Sequence, residues 1–398
     1  MLGTSVPKNA KPPMTLTIVL LVLAATPFIY YGIALVSCWR FFRRPLLKSG
    51  GSFTPPVSIL KPIRGLDPDA YENFASFCRQ DYPDYEVVFC VSDREDAALP
   101  LIERLTREFP ERTIRVLYGS GRDATNDKVA KLSRLVAEAE FEHVVISDSD
   151  VRVRPDYLRA VIGPLENPQT GATTCFYVAL EDRTLVDGLQ SVGMMSDFYP
   201  GIVVAWQLDG VKFALGPTIA TTRGRLAAFG GYEALENRPA DDLLVGRLIA
   251  EQGYDVELLR YPVDTVADYG TIRELIHKRL RWIVVMRHMR PWGHFGLAFT
   301  FGLPWSLAAV AAHPSAVMAA VYLGLYLAVR IGMTAEVAVW GLKQRGYWRR
   351  MVLIPVWDAL AFLIWAASFA RHSIRWRGAD YYIRGGALVP ANSIAADD

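Results

Sequence analysis

Hydrophobic and polar positions alternate differently in three parts of this chain. From Pro12 to Trp39 there is no charged residue, and Met14–Val36 is long enough to cross a hydrocarbon layer of about 30 Å. Between 57 and 290, short apolar runs alternate with amphipathic ones. Val57–Leu60, Glu86–Ser92 (EVVFCVS) and His143–Ser147 (HVVIS) have strand length and are largely apolar on both faces, the pattern of fully buried strands. Thr113–Tyr118 predicts a further strand, Lys212–Thr221 a strand bent at Gly216-Pro217, and Gly230-Gly231 a helix stop. Leu99–Phe109 and Asp127–Glu140 have helical periodicity. Strands alternating with helices predict an α/β fold with a mostly parallel sheet and right-handed crossovers. After 290 the long apolar runs return: Phe295–Ala312 and Ser315–Val329, parted by His313-Pro314 as in a helical hairpin, and Met351–Ala370, broken only by Asp358.

The flanking charges give these runs an orientation. Lys8 and Lys11 could begin a signal peptide, but the apolar core is too long and no small-residue cleavage site ends it. A retained anchor is expected instead. Arg40, Arg43, Arg44 and Lys48 follow it, which by the positive-inside rule puts the middle of the chain in the cytoplasm. At the other end, Lys343, Arg345, Arg349 and Arg350 balance a basic tail of Arg371, Arg375, Arg377 and Arg384. Both clusters cannot share one side if the third stretch crosses fully, so one stretch is expected to be re-entrant or interfacial. Arg330 and Glu336 read as the point where a helix leaves the lipid. Asp358 reads equally as a functional intramembrane charge.

Composition then removes whole classes. The chain has 398 residues, 52% hydrophobic, with a net charge of +2, which excludes disorder, a collagen-like fibre and a disulfide-stapled miniprotein. That net charge hides an uneven distribution. Residues 1–50 carry +6 and 291–398 carry +4, leaving −8 on 51–290, or −13 on 51–269. The basic charge flanks apolar segments, so no nucleic-acid-binding face is expected. Cys38, Cys78, Cys90 and Cys175 are scattered and read as buried thiols in a reducing compartment, and no Cys/His spacing suits zinc.

In open parallel sheets ligands bind beyond the carboxyl ends of the strands. Two strands end there in acids: one at Asp93, the other at Asp148-Ser149-Asp150. Asp-x-Asp on extended backbone puts two carboxylates on one side, which suits Mg²⁺ completed by water and substrate phosphates. Asp241 and Asp242 open an apolar helix, where one fits an N-cap and the other is left as a general base. Thr271–Arg290 is a basic helix carrying Lys278, Arg279, Arg281 and Trp282. Its outer face suits an anionic membrane surface, and Arg281 with Trp282 could hold a diphosphate.

The ordered set Asp93, Asp148-Ser-Asp150, Asp242 and Lys278-x-x-Arg281-Trp282 resembles the GT-A membrane glycosyltransferases of family 2 and, more closely, family 21, the ceramide glucosyltransferases. VSILKPIRGLDPDAYENF, QDYPDYEVVFCVSD, NDKVAKL, VVISDSDVRVRPDYL, the FGG turn before PADDLL, and HKRLRW carry the resemblance, over roughly residues 55–290. The run RWIVVMRHMRPWGHFG is similar to the hopanoid-associated bacterial glycosyltransferases. The resemblance implies a Rossmann-like GT-A nucleotide-diphospho-sugar transferase domain at 51–290, an N-terminal transmembrane anchor at 1–50, and transmembrane or interfacial helices at 291–398. It implies an inverting, UDP-sugar-dependent hexosyltransferase of a bacterial inner membrane, making a glycolipid from ceramide or, alternatively, from a hopanoid. Asp93 would contact the uridine part, with Lys61 and Lys128 near the nucleotide. Asp148 and Asp150 would hold Mg²⁺ or Mn²⁺, Asp242 would be the base, and Lys278, Arg281 and Trp282 would complete the diphosphate and acceptor site. Lys278 replaces the Gln of the Q-x-x-R-W signature, and Tyr199-Pro200 stands where the ceramide enzymes carry His-Pro. The lysine, with only three C-terminal apolar stretches, argues against a polymer synthase. A non-enzymatic scaffold of the same fold would bind no UDP-sugar through a metal. A transporter would leave the α/β part without a purpose.

Overall fold

The strand-length apolar runs become the centre of one mixed sheet in the computed structural model, which describes residues 14–45, 52–122, 124–180, 184–266, 270–376 and 379–391. Lys8, Lys11, Lys48 and Arg377 lie outside the described residues. Strands β1 (Val57–Pro62), β2 (Tyr85–Val91), β3 (Thr113–Tyr118) and β4 (His143–Ile146) pair in parallel in the order β3-β2-β1-β4. Every residue of β1 and β2 is buried, because helices cover both faces. Between β4 and β7 (Ile219–Thr222) the sheet turns antiparallel, and it continues through β6 (Thr170–Ala179) and β8 (Asp255–Thr265) to the two-residue edge β5 (Val151–Arg152). Of the strand expected over Lys212–Thr221, only Ile219–Thr221 joins the sheet, as part of β7. The segment before it is held off the ladder, with Leu215 bridging back to Thr218 across the Gly216-Pro217 bend.

Among the described residues of the parallel strands, the buried acid is fully partnered. Glu86 of β2 accepts from Ser58 Oγ at 2.6 Å, Arg115 Nη1 at 2.9 Å and the Glu140 amide at 2.8 Å. Such pairing is what makes a buried carboxylate tolerable. The helix Asp241–Glu251 comes hard against the Lys212–Gly216 segment at Gly246. A Cβ there would lie 2.1 Å from the Phe213 carbonyl carbon, so no other residue permits this approach.

Among the described residues, three helices are long and apolar enough to cross a membrane: Thr17–Arg43, Ala316–Gly341 and Tyr347–Ser368. Pro291–Thr300 and Gly302–Ala312 form a pair bent by 50°, the geometry of a broken span or a re-entrant loop. The foot of the first helix docks on the sheet, where Arg44 pairs with Glu257 of β8 at 3.4 Å and stacks over Trp206.

Two expectations at this end are corrected. Arg330 does not mark a helix leaving lipid, because the helix continues to Gly341. Arg330 is instead buried in a forked ion pair with Asp358, whose carboxylate also accepts from Tyr326 at 2.7 Å. A guanidinium in an apolar layer must spend its donors on such partners. The basic tail is not a tail either. Ser373–Trp376, Ala379–Arg384 and Ala387–Pro390 form an antiparallel three-stranded sheet whose Ile374, Ile383 and Leu388 pack on Val284 and Val285 of the helix Ile272–Met289. Its strands are short and charged, which leaves little apolar periodicity to read.

Because the Arg330–Asp358 pair is buried, Arg330→Met alone should destabilise the protein by about 3–5 kcal/mol by stranding the carboxylate. Arg330→Met with Asp358→Leu should recover most of that loss. Detergent-solubilised thermal unfolding of the wild type and the two variants measures it.

Candidate active site

Register places the chemistry. Leu60 of β1 pairs with Ile146, the last residue of β4, and β1 runs on to Pro62, so Lys61 lies beside the Ser147–Asp150 turn at the same end of the sheet. There an open cleft of about 240 Å³ is lined by Pro62, Arg64, Asp67, Lys128, Lys131 and the Asp148–Asp150 turn, among others. Lys128 is the cation at its centre. Its Nζ lies 2.6 Å from Asp148 and 3.7 Å from Asp241, which hold the amine above its ordinary pKa against the opposing effect of burial. Asn126 caps this helix by accepting from the Val129 amide, and its Nδ2 reaches the Arg238 carbonyl. The cap thus ties Lys128 to the loop that leads into Asp241 and Asp242.

Asp148 and Asp242 come from distant parts of the chain and converge on Gly216. A Cβ on Gly216 would meet Asp242 Oδ2 at 3.1 Å and Asp148 Oδ2 at 3.4 Å. Asp242 accepts from the Gly216 amide at 2.9 Å and from the Leu243 amide at 2.8 Å. Neither Asp241 nor Asp242 is the N-cap expected for one of them. Ala240 holds that position with no side-chain cap, and both acids sit inside the first turn. Burial and the neighbouring Asp241 push the Asp242 carboxyl up to about 6, with Lys128 opposing. Asp150 is also pushed up to about 6, by burial and then by Asp148 and Asp67. Four acids, Asp67, Asp127, Asp148 and Asp150, thus line the cleft against Arg64, Lys128 and Lys131.

Other expected residues take different places. Lys61 is wholly buried, donates to the Asp148 carbonyl at 2.8 Å and lies over the Phe77 ring; burial lowers its amine to about 7. It braces the Asp148 turn from behind. Asp93 is exposed past the end of β2, where its carboxylate accepts from the Glu95 amide. Lys278 and Trp282 stack on each other one turn apart on the helix Ile272–Met289, and Trp282 packs against Phe198. Arg281 is half-buried on the same helix. None of Asp93, Asp242, Lys278, Arg281 or Trp282 lines the cleft itself, although Lys278 is close enough to Asp150 to oppose its rise.

Three participants escape the sequence reasoning. Asp67 accepts from Ser149 in the middle of the Asp-x-Asp turn. Lys131 is buried, donates to the Ile63 carbonyl and Ser92, and pairs with Asp127 at 3.2 Å. Arg279 is the inward-facing arginine of the basic helix, stacked between Trp282 and Trp357 and bonded to Gln190. The Asp127–Lys131 spacing of four residues on one helix was a usable signal; the other two have none.

Comparison with known proteins agrees with this architecture. The sequence profile of Glycosyl transferase family 21 matches residues 19–389. A ceramide glucosyltransferase of Caenorhabditis elegans (Ceramide glucosyltransferase 3) is 23% identical over 240 residues, covering 60% of this chain and 52% of that protein. The ceramide glucosyltransferase of Gibberella zeae is 30% identical over 152 residues, covering 36% of this chain and 29% of its own. The chain thus spans about half the length of the nematode relatives it matches. Among solved structures, a mannosyltransferase of Pyrobaculum calidifontis in complex with GDP-Man and Mn²⁺ superposes with a TM-score of 0.55, at 20% identity, over 87% of this chain and 98% of that one. The α/β part has the GT-A fold.

Lys128→Met tests the charge balance directly. Without the amine, Asp148 and Asp241 repel, and the raised Asp242 carboxyl loses the cation that opposes its rise. A carboxyl raised in the fold loses stability as pH climbs through that raised pKa. Lys128→Met should therefore lower the melting temperature at about pH 7.5, and by clearly less at about pH 5.5, where the acids take up protons.

Proposed function

The chain belongs to glycosyl transferase family 21, and from that premise we propose that it moves a hexose from a UDP-sugar to the hydroxyl of a membrane lipid of the ceramide type. The observation that carries this reading is the convergence of Asp148 and Asp242 on Gly216, with Lys128 between the acids. An acid pair at the end of β4 beside a separate, pKa-raised carboxylate is what an inverting transfer needs. The transfer requires one group to accept a proton and others to hold the departing diphosphate.

Asp148 and Asp150 fit a hard divalent cation. They offer oxygen ligands only, Asp67 stands behind them, and burial, then the Asp148 and Asp67 carboxylates, raise the pKa of Asp150 against Lys278 and Lys61. Among the described residues no cluster of three or more such ligands closes around a metal, which suits Mg²⁺ or Mn²⁺ completed by water and donor phosphates. When bound, the ion neutralises charge on the leaving diphosphate. Asp242 takes the proton of the lipid hydroxyl as its oxygen bonds to the anomeric carbon. The bond from that carbon to UDP breaks on the opposite face, so an α-linked donor gives a β-glycoside. Lys61 and the Asp67–Ser149 bond keep the Asp148–Asp150 turn in place. Asp93 lies beyond the β2 edge, on the side assigned to the uridine. Lys278, Arg281 and Trp282 are assigned to the diphosphate and acceptor side.

The three-part organisation, an anchor at 1–50, the transferase at 51–290 and membrane helices at 291–398, belongs to this proposal. So does the cytoplasmic face, argued from Arg40, Arg43 and Arg44 at the foot of the first helix. Tyr199-Pro200, where the ceramide enzymes carry His-Pro, favours a hopanoid as the second acceptor to test. Purified protein incubated with Mg²⁺ or Mn²⁺, a panel of UDP-sugars, and either ceramide or bacteriohopanetetrol should yield a glycosylated lipid by mass spectrometry. Neither lipid product nor UDP release would favour a scaffold.

Asp242→Asn should cut turnover by about 10²–10⁴-fold while donor binding persists. Turnover should also fall as pH drops through the Asp242 pKa, since the protonated carboxyl accepts nothing. Asp241→Asn, which removes the neighbour that raises that pKa, should move this acid limb to lower pH. A limb that stays where it is in Asp241→Asn assigns it to another group.

A further inference from the structure

The helices Thr17–Arg43 and Ala316–Gly341 run side by side in the same direction. Tyr322, near the start of the second, donates to the Leu21 carbonyl and packs on Phe28. Arg330, further along, stacks over Tyr31. At the other end Gly341 meets Phe42, where a Cβ would lie 2.6 Å from the ring. Arg44 is tied to Glu257 of the α/β domain, so the chain after Gly341 also emerges on that domain's side. Lys343, Arg345, Arg349 and Arg350 follow there. The bent pair Pro291–Thr300 and Gly302–Ala312 carries the chain back between the two: the Gly302 amide donates to Tyr31 Oη at 2.9 Å, and Ser306 Oγ to the Tyr322 carbonyl at 3.3 Å.

The next apolar helix, Tyr347–Ser368, is held at both ends from that same side. At its start, Tyr347 Oη lies 3.1 Å from Ser191 Oγ, and Leu353 packs over Gly188. Both partners belong to the helix Leu185–Gly193, which Arg279 ties to the basic helix Ile272–Met289 through Gln190. One turn further, Asp358 meets Arg330, which also donates to Ser196 in the π-helical turn Met194–Phe198. At its end, Arg287 donates to the Ser368 carbonyl and to the Arg371 carbonyl, and the strands that follow are bonded to Asn237 and Arg238 of the α/β domain. Between these ends the apolar helix lies along the basic one, with Arg279 stacked on Trp357 and Arg287 on Ser368 one side chain from the finish. The basic helix carries Arg273, Lys278, Arg279, Arg281 and Arg287, too much charge to enter a hydrocarbon core.

We infer that Tyr347–Ser368 does not cross the membrane but lies in the surface of the leaflet beside the α/β domain, as that domain's docking face on the bilayer. The exposed side of the helix fits this partner. Val352, Val356, Ala359, Leu363, Ala366 and Ala370 recur at spacings of three and four and form one uncharged, exposed stripe. Ile354, Trp357, Asp358, Ile364 and Ser368 on the opposite side are buried against the protein. A helix with protein on one face and acyl chains on the other is apolar all round, which is why its sequence reads as a span. The stripe continues onto Pro291–Thr300, whose Trp292, Phe295 and Phe299 are exposed. The two are joined where the Trp365 indole donates to the His294 carbonyl at 2.9 Å and Ser368 Oγ lies 3.1 Å from His294 Nε2. The basic clusters before and after the helix then share one side of the membrane, as a rim suited to anionic headgroups. The conflict between them disappears, and nothing in the inference depends on which reaction the cleft performs.

Two measurements on the full-length protein test it. In sealed vesicles with the α/β domain outside, a membrane-impermeant maleimide is applied to single-site variants; Cys38, Cys78, Cys90 and Cys175 are buried. Arg345→Cys and His372→Cys should both label in intact vesicles, together with Glu111→Cys on the α/β domain, whereas His313→Cys should label only after detergent opens them. Labelling of His372→Cys only in opened vesicles, with Arg345→Cys labelled in intact ones, means that the helix crosses and overturns the inference. In nanodiscs of phosphatidylcholine and phosphatidylglycerol, nitroxides on Val356→Cys and Leu363→Cys then report depth by collision with oxygen and with a water-soluble nickel complex. These positions share one face and lie about 10 Å apart along the axis. Both should sit at the same depth, about 5–10 Å into the leaflet. A depth difference of about 10 Å, the value for a helix along the membrane normal, overturns the inference. Free access of the nickel complex to both nitroxides overturns it as well, since the stripe then faces water.

Discussion

Acids brought together at the end of a sheet repel, and Lys128 is the charge that lets Asp148, Asp241 and Asp242 stay together. The lysine is one residue into a helix capped by Asn126, whose amide side chain also holds the Arg238 carbonyl. The cation, the Asp-x-Asp turn and the first turn of the helix Asp241–Glu251 are therefore positioned as one unit. Burial, with the neighbouring acids, still leaves the carboxyls of Asp150 and Asp242 raised. The cleft is built with a deficit of positive charge. A divalent cation and a diphosphate supply and consume that charge in the same place, which is how the electrostatics of the fold become the chemistry proposed for it.

The C-terminal sheet extends this constraint to the membrane side. The Leu388 amide donates to the Asn237 carbonyl at 2.7 Å, and Arg238 donates to the Gly385 carbonyl at 3.1 Å, so the sheet grips the loop that leads into Asp241 and Asp242. Ile374, Ile383 and Leu388 of the same sheet pack on Val284 and Val285, one turn from Arg281. The loop before Asp241 and the basic helix are thus clamped to each other from outside the α/β domain. The ion pair Arg330–Asp358 does the corresponding work for the π turn at Met194–Phe198. Both devices join the α/β domain to the long apolar helices through specific polar contacts, and apolar packing fills the space between.

Much of this was legible in the sequence for physical reasons that can be named. Glu86–Ser92 and His143–Ser147 announce buried parallel strands because nothing else needs such unbroken apolar runs between helical patterns, and the acids after the second run fall where the sheet opens. Asp242 was singled out because two acids at a helix start exceed what a cap needs, although the cap turned out to be Ala240 and both acids were left for the site. Asp67 and Arg279 were illegible, since one acts through a loop contact and the other through stacking between two tryptophans far apart in sequence. The pairing of Arg330 with Asp358 was hidden for the same reason. Each charge alone looks like an interruption of an apolar run, and only the packing of two helices makes them one feature.

The uneven charge of the chain, −13 on residues 51–269 against basic flanks, makes the account's central claim sharp: the acidic body receives a nucleotide diphosphate through a divalent cation. Calorimetric titration of UDP into the full-length protein, with Mn²⁺ and then with excess chelator, tests it most directly. The account predicts saturable binding with Mn²⁺ that disappears on chelation and in Asp148→Asn. UDP binding of equal strength in chelator would contradict it, because the cleft's own lysines would then suffice to hold the diphosphate.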